Sequence, residues 1–241
     1  MRYKPPYKWL GIGMVLLGAL LLIGVGVFLA YTSYQRSQFD AVVTSPSLLS
    51  VVRDPPEMWD DVNWAESMED DALVAQFQPV NPLGIYGRLG SEPTRLVIPA
   101  LDLDARVEGL PILDVGDAKQ YATPDNVIGH IPESANPGAA GTVWLFGHLE
   151  SPVRGEGSLF RDLPRVYDLM NDGRRILVVL ESDEGRFLYE VREFVKIPKD
   201  EFQFTTSEAP LITLVTCWPR FAYDERILVT AELIGTGQAR Q

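Results

Sequence analysis

The chain has 241 residues, 33 acids against 21 bases for a formal net charge of −12, 46% hydrophobic residues and 22% charged residues. This is ordinary globular composition with room for one substantial domain plus accessory segments, and it argues against global disorder. The acidic balance excludes a nucleic-acid partner held on a basic face. A single cysteine, Cys217, excludes an intrachain disulfide and a cysteine-built zinc site, and only two histidines, His130 and His148, are available for any metal centre. No loop carries a calcium-type spacing of acids, so neither a metal nor another cofactor is expected.

Residues 9–35 carry no charge and are mostly Leu, Ile, Val, Gly, Ala and Phe. As a helix they span roughly 40 Å at about 1.5 Å per residue, more than the roughly 30 Å of a bilayer's hydrocarbon core. Trp9 lies at one end and Tyr31 and Tyr34 at the other, where interfacial aromatics belong. Arg2, Lys4 and Lys8 precede the run without an acid, which by the positive-inside rule keeps residues 1–8 cytoplasmic and the rest of the chain extracytoplasmic. A cleaved signal peptide is the alternative, but its apolar core is usually shorter and no A-x-A site follows Ala30. An uncleaved transmembrane anchor over residues 9–35 is therefore expected.

Residues 36–87 read as an acidic stalk. From Ser37 to Gly87 nine acids face one base, Arg53, the composition of a solvated segment. Within it, Pro56 can open a helix running to Phe77. Met58, Val62, Ala65, Met68 and Ala72 recur at steps of three and four, with Trp59 and Trp64 beside that stripe. Tryptophans are costly to leave in water, so this helix is expected to dock on the following domain, as a brace rather than as a lid over a cleft.

From Arg88 the text changes to short apolar runs between turn residues. Thr94–Ile98, Asp104–Val107, Thr142–Phe146, Ile176–Glu181, Phe187–Val195, Leu211–Thr216 and Arg226–Leu233 read as strands rich in β-branched or aromatic residues. One helical piece, Leu159 to Met170, falls between the third and fourth. Seven or eight strands with little helix predict a mainly β domain, a closed or nearly closed barrel over residues 88–235, followed by a short tail, 236–241.

Cys217 directly follows the apolar strand Leu211–Thr216. A small buried hydrophobe is the alternative role for a lone cysteine, but strand ends are where barrels present reactive groups. A nucleophilic thiol needs a partner for its proton, and His148 ends another strand-like run, Val143 to Gly147. Arg226, nine residues past Cys217 and across a turn, supplies a cation able to hold an oxyanion if the two runs form a hairpin. Three strand-end residues can thus converge at one barrel rim.

Thr213-Leu214-Val215-Thr216-Cys217 followed by Arg226 resembles the T-L-x-T-C…R signature of sortases, the cysteine transpeptidases of Gram-positive-type cell surfaces. Leu96-Val97-Ile98-Pro99-Ala100-Leu101 resembles the family's L-x-I-P-x-L strand. The stretch Ile131 to Gly138, then Gly141 to His148, resembles its run into the catalytic histidine, and Phe160-Arg161-Asp162-Leu163 followed by Gly173 resembles F-x-x-L…G-D. The resemblance covers about Thr94 to Leu233 in the family's order. It implies an eight-stranded sortase β-barrel with short helices, preceded by one transmembrane helix, and a catalytic set of His148, Cys217 and Arg226. By the same resemblance, Cys217 would cleave a Thr–Gly bond in a surface-protein sorting signal of LPxTG type through a thioester. His148 would protonate the leaving amine and deprotonate the incoming one, an amine of a cell-wall precursor or a pilin lysine. Arg226 would hold substrate backbone and oxyanion, and Thr216 would contribute to the oxyanion region and so contact substrate. His130 lies where the family often has a non-catalytic histidine.

Leu149 and Arg174 depart from residues common in the family, and Cys217-Trp218-Pro219 is closest to the C-[HY]-P pattern of classes E and D. Asp54-Pro55 is followed by Pro56, so the D-P-aromatic lid of class C is not matched. The rival readings are a peptidoglycan L,D-transpeptidase, whose S-H-G-C-x-R pattern is absent because Cys217 follows a threonine, and a non-enzymatic surface barrel that binds partners.

Overall fold

The structure, a computed structural model, describes residues 7–37, 64–80, 91–115, 118–151 and 155–240. The first element, α1 (Tyr7–Ser37), is a single helix, and its stretch Gly11–Tyr34 is long and apolar enough to cross a membrane. Within that stretch its leucines, isoleucines and valines lie exposed, an apolar surface of the kind a bilayer's hydrocarbon core would cover.

The helix α2 spans Trp64–Val74 and leads into a two-residue strand, β1 (Gln78–Pro79). The expected helix therefore exists from Trp64 onward, while Met58, Trp59 and the rest of 56–63 lie outside the described residues. The apolar stripe is a correction. Met68 is 70% exposed, and the residues that dock are Leu73, Val74 and Phe77, against Leu177, Val179 and Leu188. The guanidinium of Arg186 lies 4.8 Å from the centroid of the Phe77 ring, and β1 pairs with Thr236 and Gly235. Methionine and alanine at helical spacing fit a buried face no better than Leu73, Val74 and Phe77 just downstream, and docking selected the bulkier set.

Next come β2 (Pro93–Ile98), β3 (Leu103–Gly109), the hairpin β4 (Ile112–Val115) and β5 (Ala118–Tyr121), β6 (Ile128–His130) and β7 (Gly141–Phe146). The helix α3 (Arg165–Asn171) follows, and then β8 (Leu177–Ser182), β9 (Gly185–Pro198), β10 (Pro210–Trp218) and β11 (Glu225–Gly237). The main sheet runs β11-β10-β7-β6-β3-β2-β8-β9, and pairing of β9 with β11 closes it into an eight-stranded barrel. β1 takes the edge of β11 beyond the point where β10 ends. Two neighbouring pairs are parallel, β3 with β6 and β7 with β10; the other barrel pairs are antiparallel. All seven strand runs expected from sequence are present. The short β6 and the β4–β5 hairpin were not expected.

Inside the barrel, Leu96, Ile98, Ile128, Leu145, Ile212, Leu214, Ile227 and Val229 are almost fully buried. Leu159 to Pro164 form turns rather than the start of the expected helix, and α3 begins at Arg165. Pro164 sits at the helix N-cap, where its missing N–H costs nothing; inside a longer helix it would remove a hydrogen bond. Phe160, Leu163, Val166 and Leu169 carry this segment into the core.

Candidate active site

β10 alternates cleanly. Ile212, Leu214 and Trp218 join the barrel core, so Cys217, Val215 and Thr213 project from the outer face. On β11, Arg226 is the direct cross-strand partner of Cys217, and Leu228 that of Val215. On β7, Phe146 is the parallel partner of Val215. The amide of Gly147 donates to Val215 O at 3.2 Å, and Thr216 Oγ1 donates to Gly147 O at 2.9 Å. These bonds prolong the contact of the chain with β10 past the end of β7, so His148 leaves the sheet beside Cys217. A Cβ at Gly147 would stand 2.6 Å from the Phe160 ring, which is why this approach to His148 needs glycine.

Thr216 lies on the opposite face of β10 from Cys217, as strand alternation requires. The residue is 2% exposed and its hydroxyl donates to Gly147 O, which holds the backbone leading to His148.

His148 is part-buried, with Nε2 3.1 Å from Pro124 O and 3.7 Å from Glu156 Oε2. A carbonyl only accepts, so Nε2 carries the hydrogen and Nδ1 is the nitrogen left to exchange a proton. Glu156 is held in turn by the Ser151 hydroxyl, which donates to the same oxygen at 3.1 Å. Cys217 is partly exposed and its thiol is free of any disulfide. Burial pushes its thiol above the ordinary value, while the Arg226 guanidinium pulls it back down. Arg226 Nη1 donates to the carbonyls of Tyr223 at 3.1 Å and Glu225 at 2.8 Å, which fixes the cation at the rim of the hairpin. His130, by contrast, is wholly buried at the end of β6, with Nε2 at 3.2 Å from both Ala135 O and Ser134 Oγ.

An apolar shelf adjoins the thiol. Trp144, Phe146, Val215 and Leu228 project on the same outer face as Cys217 and are overlaid by Phe202 and Phe204 from the β9–β10 connection. The aromatic centroids lie 5.3 to 6.0 Å apart, mostly edge to face, and the Trp144 indole donates to Thr205 O at 3.1 Å. Phe204 remains 51% exposed. Sequence reasoning did not find this shelf, nor Pro124, Glu156 or Tyr223. One signal was present: Val143-Trp144-Leu145-Phe146 is apolar on both faces, the pattern of a strand covered on both sides. Among the described residues, no group of three or more His, Cys, Asp or Glu side chains could hold a metal.

A Cys thiol, a histidine with one nitrogen free to exchange a proton, and a fixed guanidinium along one rim can perform acyl transfer through a thioester. The family model of the sortase domain matches residues 96–234, which span the barrel from β2 into β11. No curated protein matches the chain. Among solved structures, it is similar to sortase C from Streptococcus pneumoniae (TM-score 0.48, 16% identity, 74% of this chain and 88% of that one). It is also similar to sortase A from Listeria monocytogenes (TM-score 0.46, 19% identity, 63% of this chain and 93% of that one). For sortase C1 from Streptococcus agalactiae the TM-score is 0.43 at 19% identity, over 58% of this chain and 66% of that one. Because the sortase model covers more than half of the sequence, the chain belongs to the sortase family of cysteine transpeptidases.

Proposed function

We propose that this sortase cleaves the Thr–Gly bond of an LPxTG-like sorting signal and passes the surface protein to an amine of a cell-wall precursor or a pilin. Cys217 gives its thiol proton to His148 Nδ1, and its sulfur attacks the threonine carbonyl carbon. The oxyanion that forms is held by Arg226, and as the C–N bond breaks His148 Nδ1 delivers its proton to the departing glycine nitrogen. The incoming amine gives a proton back to His148 as its nitrogen attacks the thioester, and Cys217 leaves as thiolate. The observation that carries this reading is the direct cross-strand pairing of Cys217 with Arg226 beside the strand that delivers His148. The exposed Phe204 and the half-buried Phe146 and Leu228 at the margin of the shelf offer an apolar surface for the leucine and proline upstream of the scissile bond. The Cys217-Trp218-Pro219 run keeps the reading with classes E and D.

The test is turnover of a panel of LPxTG-type peptides by the full-length protein in detergent. Wild type should release the C-terminal fragment, and Cys217→Ala should release none. Turnover that survives in Cys217→Ala overturns the assignment. The charge asymmetry around α1 supports an N-terminus in the cytoplasm and the barrel outside. A membrane-impermeant maleimide should then reach Cys217, the only cysteine, on intact wall-stripped cells, and protection of that thiol until lysis would reverse the orientation.

A further inference from the structure

The turn between β10 and β11 contains a backbone conformation that its residue type does not favour. Tyr223 has φ of +53°, the left-handed region that a bulky side chain rarely adopts. Its amide closes the turn onto Pro219 O at 3.0 Å. The two other polar groups of Tyr223 reach in different directions. Its carbonyl accepts from Arg226 Nη1 at 3.1 Å, while its phenol donates to Glu150 Oε1 at 3.2 Å. Glu150 lies two residues past His148, and its other oxygen is 3.7 Å from Arg220 Nε on the same turn as Tyr223. One residue therefore touches the guanidinium beside Cys217 and the loop that carries His148.

We propose that Tyr223 is a positioning residue that clasps the His148 loop, through Glu150, to the Cys217–Arg226 hairpin, so that acid–base group, nucleophile and cation hold one geometry. His148 is on a loop outside the sheet; the bonds of Gly147 to β10 hold its N-terminal side, the Phe160 amide donates to His148 O at 2.9 Å, and Leu149 is buried in the core. These contacts tie the loop to the barrel, and Glu150 adds the tie to the Cys217–Arg226 hairpin. Burial, aided by the neighbouring Glu150 and Cys217, raises the phenol's pKa, so the hydroxyl stays protonated and able to donate over the working pH range. A misplacement of about 1 Å at reacting groups can cost about 10²-fold in rate, which is the scale on which a clasp of this kind acts.

The clasp rests on the assignment of His148, Cys217 and Arg226 made above. Its test is a double-mutant cycle on the full-length protein in detergent, read as kcat and KM for the peptide that wild type turns over fastest, with thermal melts of each variant. Tyr223→Phe removes only the hydroxyl, and Glu150→Ala removes its acceptor together with the contact to Arg220. Each should lower kcat about tenfold with KM within about twofold of wild type, and the double variant should be no slower than the worse single, because one interaction is being removed twice. Glu150→Gln keeps an oxygen for the phenol and should recover most of the loss. Multiplicative losses in the double variant, wild-type kcat in Tyr223→Phe, or Glu150→Gln as slow as Glu150→Ala would each overturn the clasp. Cys217→Ala in the same assay separates the two readings: activity there sinks the chemistry itself, whereas inactivity there beside wild-type kcat in Tyr223→Phe sinks the clasp alone.

Discussion

Two histidines close neighbouring strands of one sheet and end in opposite circumstances. His130 finishes β6 opposite Leu145 and is wholly enclosed, with its Nε2 spent on Ala135 O and the Ser134 hydroxyl. His148 follows β7 by two residues and is part-exposed at the rim. One of its nitrogens is fixed by Pro124 and Glu156, which leaves the other for chemistry. Burial pushes the His130 imidazole below its ordinary value, with the Ala135 bond pulling partly back, so it sits neutral as a structural hydrogen-bonding group. The same side chain is enclosed or presented at the rim according to whether the loop after its strand folds inward or outward.

The hardest test of that contrast exchanges the losses. His148→Ala should lower peptide turnover by about 10³-fold, within the range for a general acid–base group, and leave the melting temperature nearly unchanged. His130→Ala should do the reverse, lowering the melting temperature while the folded fraction keeps near-normal kcat. Normal turnover by His148→Ala together with its loss in His130→Ala would invert the comparison.

Arg226→Lys should cost about 10²-fold in kcat, since one well-placed oxyanion donor is worth about 10²–10³. An ammonium lacks the planar fork that Tyr223 and Glu225 hold in place. Steady-state kinetics that differ from wild type by less than threefold would remove Arg226 from the oxyanion role.

A smaller effect concerns the thiol. Because burial raises the Cys217 value, its alkylation by iodoacetamide should keep accelerating with pH beyond the ordinary thiol value of about 8.5. Loss of the opposing cation in Arg226→Met should push that rise to still higher pH. A labelling rate already flat at neutral pH would show a thiolate stabilised by something other than Arg226.

The smallest effect belongs to His130. Its folded value is depressed, so the unfolded chain binds the proton more readily. The stability from a neutral His130 is complete above the ordinary histidine value of about 6.5 and is lost as pH falls through and below it. Melting temperature should therefore decline on acidification, and less steeply in His130→Gln. An equal slope in both proteins would assign the acid sensitivity elsewhere.

Much of the site was legible in the chain itself. Cys217 after Leu211–Thr216 and Arg226 at the head of the next run are an antiparallel hairpin in sequence, and alternation along two strands is enough to pair them. The placement of Thr216 was less legible: a signature threonine beside a nucleophile suggests contact with substrate, whereas the alternation that exposes Cys217 turns its neighbour inward. Within the described part of the stripe, Met68 and Ala72 lie exposed: periodicity marks a helix face, but the surface it meets, here Leu177, Val179 and Leu188, chooses the residues that bury. Docking at Gly235 and Gly237 places Phe77 near the far end of β11 from Arg226, so the described part of the segment braces the barrel away from the thiol.

The sequence by itself determined the long apolar N-terminal helix, the β character of the domain and the residue types of the candidate site. Each follows from local rules: an uncharged run long enough for a bilayer, period-two apolar runs between turns, and a thiol, an imidazole and a guanidinium at strand ends. Tertiary structure alone decided what lies between those strands. The parallel pairing of β7 with β10 brings His148 to Cys217 across more than sixty residues of chain. The β9–β10 connection carries Phe202 and Phe204 onto the shelf, and the Tyr223–Glu150 bond spans two loops. Contacts of this kind depend on barrel closure, and no pattern within a single strand encodes which strand will become its neighbour.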